Sequence, residues 1–78
     1  MDFKGKTILV LGAGISGISV SRILRGYGAS VILSDAKPAN KINHDLSGLT
    51  ASGVTLALGQ KQDESLLQDV DYLVLSPG

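Results

Sequence analysis

The sequence predicts an α/β fold in which one parallel β-sheet has helices on both faces. Short apolar segments alternate with amphipathic helical patterns along the 78 residues, which is typical of parallel sheets with right-handed helical crossovers. A glycine-rich turn separates the first apolar segment from the first helical pattern. Leu, Ile and Val supply 24 of the 78 residues, well above the content of about 20% below which chains tend to be disordered, so we expect one small folded domain.

Four segments are predicted to be strands, at residues 7–11, 30–34, 54–58 and 72–75. The first, second and fourth are rich in consecutive apolar residues, which is typical of strands covered on both faces of a parallel sheet. The third alternates large apolar residues with small or polar ones, and we expect it at an edge of the sheet. The predicted strand order is 3-2-1-4.

Three helices are predicted between these strands. The first covers residues 15–27, the second begins at Ile42 and is ended by Gly53, and the third and weakest covers residues 65–70, with Asp63 as its N-cap. The second rests on Ile42, Leu46 and Leu49, which repeat at i, i+4 and i+7. Residues 37–41 are predicted to be a loop.

Composition and charge exclude several function classes. Seven Lys plus Arg balance seven Asp plus Glu, so the chain has no basic surface for nucleic acid and no polybasic patch for a membrane. Its apolar runs are too short to span a bilayer. The chain has no cysteine and one histidine, His44, which we interpret as a solvated surface residue rather than a metal ligand. A cytoplasmic location is expected.

One motif in the chain indicates a ligand-binding function. Residues 12–17 read Gly-Ala-Gly-Ile-Ser-Gly, which matches G-x-G-x-x-G, follows a strand directly and opens a helix. Asp35 lies 18 positions beyond the third glycine, at the end of the second strand. Together these features make the Rossmann fingerprint of nucleotide-binding proteins. The Asp35 carboxylate can accept hydrogen bonds from a ribose hydroxyl or a base N–H.

Each residue of the glycine motif has a predicted role. Gly12 allows the tight turn out of the strand, Gly14 lets a phosphate approach the backbone, and Gly17 lets the helix pack closely on the sheet. The backbone amides of Ile15 and Ser16 are the expected donors to a diphosphate at the helix N-terminus, and the Ser16 hydroxyl can add another hydrogen bond. The alternative is that the three glycines serve the turn and the packing alone and that the crevice is empty.

The sequence alone does not decide the role of two further places in the chain. Lys37 is either an ordinary loop lysine or a cation that lies over the base beside Asp35. Residues 76–78 form either a simple turn or a ligand contact, because the loops that follow parallel strands line the ligand crevice. The fourth strand would also be an apolar edge, through which copies could associate. We therefore expect the chain to be part of a longer protein.

The combined motifs resemble a known family. These motifs are Gly5-Lys6 before the first strand, the glycine motif at residues 12–17, Ser34-Asp35 after the second strand, and Leu-Val-Leu-Ser-Pro-Gly at residues 73–78. They resemble the N-terminal domain of the Mur ligases, in particular those that add D-glutamate to UDP-N-acetylmuramoyl-L-alanine. The resemblance covers the whole chain but only the first of the three domains of such a ligase.

The resemblance implies a substrate-binding role for this domain. It would bind the uridine diphosphate (UDP) moiety of UDP-N-acetylmuramoyl-L-alanine, with the glycine motif on the diphosphate, residues 35–37 around the uracil, and residues 76 and 78 in a loop that closes over the nucleotide and sugar. The substrate-binding residues that it implies are Gly14, Ile15, Ser16, Gly17, Asp35, Ala36, Lys37, Ser76 and Gly78.

The resemblance also implies a reaction for the parent enzyme. The substrate carboxylate becomes an acyl phosphate at the expense of ATP, and the amine of D-glutamate attacks it, which extends a peptidoglycan precursor used in cell-wall growth, cell shape and division. ATP, Mg²⁺ and D-glutamate would bind in the other domains. The 78 residues would hold no cofactor, no metal and no catalytic residue, and the chain alone would be inactive.

Two other functions fit the fingerprint. The chain could be the N-terminal half of an NAD- or FAD-dependent oxidoreductase, because a carboxylate at Asp35 suits a ribose diol as well as a uracil edge. It could also be a regulatory nucleotide-sensing domain that assembles through its sheet. Flavin or nicotinamide absorbance in the purified protein distinguishes the oxidoreductase from the ligase, which predicts none.

Overall fold

The computed structural model describes residues 3–76, which form one four-stranded parallel sheet in the order β3-β2-β1-β4. The elements in chain order are β1 (Thr7–Leu11), α1 (Ile15–Gly26), β2 (Ser30–Asp35), α2 (Ser47–Ser52), β3 (Thr55–Leu58) and β4 (Tyr72–Leu75), with single 3₁₀ turns at Ala39–Lys41 and Glu64–Leu67. This architecture confirms the predicted fold class and strand order.

The register of the sheet brings the ends of three strands to one edge. Leu11, the last residue of β1, lies opposite Ser34 of β2 and Leu75 of β4. The chain leaves each strand at the same level: the Gly12 amide donates to the Ser34 carbonyl at 2.8 Å, and the Ser76 amide donates to the Leu11 carbonyl at 2.9 Å. The residues that follow β1, β2 and β4 therefore meet at this edge.

The core lies on the face of the sheet that α1 and α2 cover. Side chains of β1 and β2 alternate between the two faces, so one set from each strand packs under the helices. Burying this apolar surface is the main stabilisation of the fold. The core residues are Ile8, Val10, Ala13, Ile18, Leu24, Ala29, Val31, Leu33, Leu49 and Val54.

The opposite face of the sheet is covered more thinly. Leu9 is buried there, beside a shallow apolar cavity of about 300 Å³ that Leu66 and Leu67 of the second 3₁₀ turn help to line. The Asp63 carboxylate accepts a hydrogen bond from the Ser65 amide at 3.0 Å, which confirms the predicted N-cap. The predicted helix at residues 65–70 is wrong: the 3₁₀ turn ends at Leu67, because Gln68 has an extended backbone with φ of −62° and ψ of +129°, and Asp69 after it is left-handed with φ of +60°.

The second helix also begins later than predicted. Ile42 has an extended backbone, with φ of −95° and ψ of +119°, and α2 begins at Ser47. The Asp45 carboxylate accepts hydrogen bonds from the Ser47 amide at 3.0 Å and from its hydroxyl at 2.7 Å. Such local bonds compete with the helical ladder. Ile42 and Leu46 still contact the core, so the apolar positions were predicted correctly and the helix between them was not.

Gly53 ends α2 with φ of +103°, as predicted. Within residues 3–76, no helix has the length and apolar character needed to cross a membrane.

Candidate functional site

A cavity of about 370 Å³ opens at the carboxyl edge of the sheet. Such a volume is within the usual range for small-molecule sites. The crevice beyond the carboxyl ends of the strands is also where ligands bind in open α/β sheets. The lining residues come from four places: the glycine loop (Gly12, Ala13, Gly14), the end of β2 (Asp35, Lys37), the segment after it (Lys41, Ile42, Asn43, His44) and the end of β4 (Ser76).

The three glycines of the loop have different reasons to be glycine. Gly12 has φ of +107°, and a Cβ there would lie 3.1 Å from the Cβ of Ser76. At Gly17 a Cβ would lie 1.9 Å from the Gly12 carbonyl oxygen. Gly14 has φ of −82° and ψ of −175°, extended backbone that any residue adopts. The turn therefore requires Gly12 and the packing requires Gly17, whereas the backbone angles at position 14 do not require glycine.

The N-terminus of α1 lies beside the cavity. The first hydrogen bond of the helix is donated by the Ile18 amide to the Gly14 carbonyl, at 3.0 Å. The amides of Ile15, Ser16 and Gly17 precede it and have no acceptor within the helix. These three residues follow Gly14, which lines the cavity, but they do not line it themselves. Ile15 is 70% exposed.

Asp35 links the end of β2 to the glycine loop. One carboxylate oxygen accepts the Ala13 amide at 2.8 Å, and the other accepts the Lys37 amide at 2.9 Å. The hydrogen bond from Ala13, followed by that from Lys37, lowers the pKa of Asp35 below its ordinary value of 3.8, and these effects exceed the opposing effect of partial burial. An ionised carboxylate has about four acceptor positions, so two remain for a ligand N–H or O–H.

The other predicted site residues fall into three groups. Lys37 lines the cavity, and its carbonyl accepts the Gly59 amide at 2.9 Å, which holds the turn after β2. Ala36 is exposed on the same turn and does not line the cavity. Ser76 lines the cavity beside Gly12, whereas Gly78 lies outside the described residues.

Sequence reasoning missed four lining residues of the segment after β2: Lys41, Ile42, Asn43 and His44. Lys41, Asn43 and His44 reach the cavity because residues 42–46 are not helical. His44 is exposed, as predicted, but it lies in a non-helical segment at the cavity rather than on a polar helix segment. The signal that could have found them is the Asn-His-Asp-x-Ser sequence at residues 43–47, which is rich in turn-forming residues.

The charges of the lining favour an anion. Two lysines, Lys37 and Lys41, face one aspartate, which gives a formal charge of +1 with His44 neutral. The positive end of α1 adds to this field. Within residues 3–76, no group of three or more His, Cys, Asp or Glu side chains is placed to hold a metal ion.

Comparison with known proteins gives a family match over nearly the whole chain. The model of the Mur ligase MurD-like N-terminal domain matches residues 6–78. The UDP-N-acetylmuramoylalanine–D-glutamate ligase of Pelotomaculum thermopropionicum is 47% identical over 77 residues, which are 99% of this chain and 17% of that protein. The ligase of the same name from Koribacter versatilis is 37% identical over 78 residues, 100% of this chain and 17% of that protein. The chain thus spans about one sixth of these relatives.

Solved structures share the fold. SirC, a precorrin-2 dehydrogenase, superposes with a TM-score of 0.78 at 20% identity, over all of this chain and 37% of its own. A D-lactate dehydrogenase from Escherichia coli superposes with a TM-score of 0.67 at 24% identity, over 99% of this chain and 21% of its own. At these identities the likeness concerns the fold alone, and it confirms the Rossmann-like sheet.

Proposed function

The chain belongs to the Mur ligase family as a MurD-like N-terminal domain, and from this membership we propose that its cavity binds the UDP moiety of UDP-N-acetylmuramoyl-L-alanine. The observation that carries the proposal is the cavity at the carboxyl edge of the sheet. It brings Gly14 and the adjacent N-terminus of α1 together with Asp35 and Lys37. This places an anion-binding element beside a group that can accept hydrogen bonds from a nucleoside.

The roles follow the chemistry of the two ends of the cavity. The diphosphate lies at the N-terminus of α1, where the amides of Ile15 and Ser16 donate to it. Asp35 accepts a hydrogen bond from the uracil or ribose through its remaining lone pairs, and Lys37 lies over the base. The Ala13 amide donates a hydrogen bond to Asp35 at 2.8 Å, so the group proposed for the nucleoside lies next to the loop proposed for the diphosphate. This contact supports the proposed placement of the two parts of UDP.

The second part of the proposal concerns the parent enzyme. We propose a cytoplasmic, ATP-dependent ligase that joins the L-alanine carboxylate of this substrate to the amine of D-glutamate in peptidoglycan biosynthesis. The names of the relatives support the joining of D-glutamate, and the coverage of only 17% of each relative supports the presence of further domains in the parent enzyme. In it, the present chain binds and orients the nucleotide end of the substrate. ATP, Mg²⁺ and D-glutamate bind to other parts of the ligase, so the 78-residue chain alone is inactive.

A titration of the labelled chain with UDP tests the binding site. We expect amide shifts at Gly14, Ile15, Ser16 and Asp35 with UDP, and much smaller shifts with NAD at the same concentration. Binding in the millimolar range, about −4 kcal/mol, is expected for an open site of this kind. Substitution Gly14→Ala should weaken UDP binding about tenfold or more, because its methyl group occupies the approach of the phosphate.

The stability of the Gly14→Ala variant separates binding from folding. Its free energy of unfolding should fall by no more than about 1 kcal/mol, since alanine adopts the backbone angles of Gly14 without strain but is a poorer N-cap than glycine. Gly26→Ala is the matched control: it lies at the other end of α1, nothing is within 4 Å of its added Cβ, and UDP binding should be retained. A clear preference for NAD, or equal UDP binding by both variants, would contradict the proposal.

A further inference from the structure

A second wall of the cavity lies outside the glycine motif. It is formed by residues 41–44, which follow the first 3₁₀ turn, and we call it the 41–44 wall. Its side chains are Lys41, Ile42, Asn43 and His44. Apart from Ile42, these are all polar groups that can donate hydrogen bonds.

The fold holds the 41–44 wall at both of its ends. On one side, the Lys41 amide donates to the Pro38 carbonyl at 2.9 Å, and Gly59 lies so close to Pro38 that a Cβ added at Gly59 would be 3.3 Å from the Pro38 Cα. On the other side, the Asp45 carboxylate accepts two hydrogen bonds from Ser47. Ile42 contacts the core between them. The wall is thus anchored in the free protein.

The charges around Lys41 leave its ammonium for a ligand. Within residues 3–76, the Lys41 side chain makes no hydrogen bond or salt bridge, and Lys41 is exposed. The carboxylate that lines the same cavity, Asp35, accepts its hydrogen bonds from the amides of Ala13 and Lys37 and none from the Lys41 ammonium. The next carboxylate along the chain, Asp45, accepts its hydrogen bonds from Ser47 and none from Lys41. Lys41 therefore faces the cavity as a cation without a close counter-ion among the described residues.

We propose that Lys41 binds the phosphate groups of the nucleotide from the 41–44 wall, so that the diphosphate is held between the Lys41 ammonium and the N-terminus of α1. This inference rests on the proposed function. It adds to that function a phosphate contact from a residue beyond the glycine motif. A lysine on an exposed segment acts as a point charge, so it contributes to affinity for the charged phosphates and not for the nucleoside.

The test compares UDP with uridine, the same nucleoside without phosphates. In Lys41→Gln, which keeps most of the side-chain length and removes the charge, UDP binding should weaken about fivefold, the effect of one exposed charge pair of about 1 kcal/mol. Uridine binding should not change. Lys41→Arg should restore most of the UDP affinity. Lys61→Gln is the matched control, since Lys61 is an exposed lysine that does not line this cavity, and it should bind both ligands like the wild type.

The outcomes separate this inference from the proposed function. If the wild type binds UDP and Lys41→Gln binds it equally well, the inference is wrong and the proposed function stands. An equal loss of UDP and uridine binding in Lys41→Gln also overturns the inference, because a phosphate contact does not act on uridine. If the wild type binds neither UDP nor uridine, both are wrong. A selective loss of UDP binding that arginine rescues supports both.

Discussion

Substitution of Gly17 by alanine is expected to destabilise the fold by about 3 kcal/mol or more, enough to leave a large fraction of the chain unfolded at 25 °C. The added Cβ would lie 1.9 Å from the carbonyl oxygen of Gly12 and 3.2 Å from the Ser76 Oγ. The first of these is a backbone atom in a turn that is fixed by the Gly12–Ser34 hydrogen bond, so it cannot rotate away. Either α1 or the glycine loop must move.

Urea unfolding followed by circular dichroism measures this effect, with Gly26→Ala as the control. Both substitutions add one methyl group within α1, but the position at Gly26 is open. Gly26→Ala should therefore leave stability unchanged or raise it by up to about 1 kcal/mol. Equal stability of the two variants would show that the close approach of helix and loop does not exist in solution.

This comparison also assigns separate tasks to the glycines of one motif. Gly17→Ala should impair folding, and nucleotide binding with it, whereas Gly14→Ala should mainly weaken binding. The alternative in which all three glycines serve only the turn and the packing leaves the crevice empty, so it predicts that neither the wild type nor Gly14→Ala binds UDP. The backbone angles of Gly14 suit any residue, so they favour the first outcome.

Apolar runs made the sheet predictable. Residues 7–11 and 72–75 are too short and too uniformly apolar for surface helices, and their alternation with helical patterns leaves few topologies. The second helix was mispredicted because spacing alone cannot distinguish a helix from an extended segment followed by a shorter helix. Ile42 and Leu46 reach the core in both cases. The hydrogen bonds that Ser47 donates to Asp45 favour the extended segment followed by the shorter helix.

The site was predictable only in part, for a related reason. Asp35 was placed correctly because it ends a strand that was itself well defined. Its bond to the Ala13 amide depends on the register between β1 and β2, Leu11 opposite Ser34, which no local pattern encodes. Lys41 and His44 were assigned to a loop and to a polar helix surface, so the error in the second helix hid the 41–44 wall.

Asp35→Asn is expected to lower the free energy of unfolding at pH 7 by about 2 kcal/mol, the usual cost of losing a hydrogen bond to a charged group. The asparagine side chain can accept only through its amide oxygen, so one of the two backbone amides, that of Ala13 or that of Lys37, loses its acceptor. Ala13 is 3% exposed, so its N–H has little access to water as a substitute. If Ala13 loses its acceptor, its amide should also exchange hydrogen faster, because this bond ties the glycine loop to β2.

The pH dependence of Asp35→Asn identifies the charge as the cause. The folded-state pKa of Asp35 is lowered from 3.8, chiefly by the Ala13 and Lys37 amides, so the ionised form stabilises the fold. This contribution is complete above the unfolded pKa and is lost as the pH falls through the lower, folded value. The difference in the free energy of unfolding between wild type and Asp35→Asn should therefore be constant from about pH 7 to about pH 5 and shrink below about pH 4.

Glu64→Gln is the control, because Glu64 is an exposed carboxylate outside this cavity, and it should change stability by no more than about 0.5 kcal/mol. A difference between Asp35→Asn and the wild type that stays the same down to about pH 2.5 would mean that the substitution disturbs packing, and that the carboxylate does not hold the glycine loop.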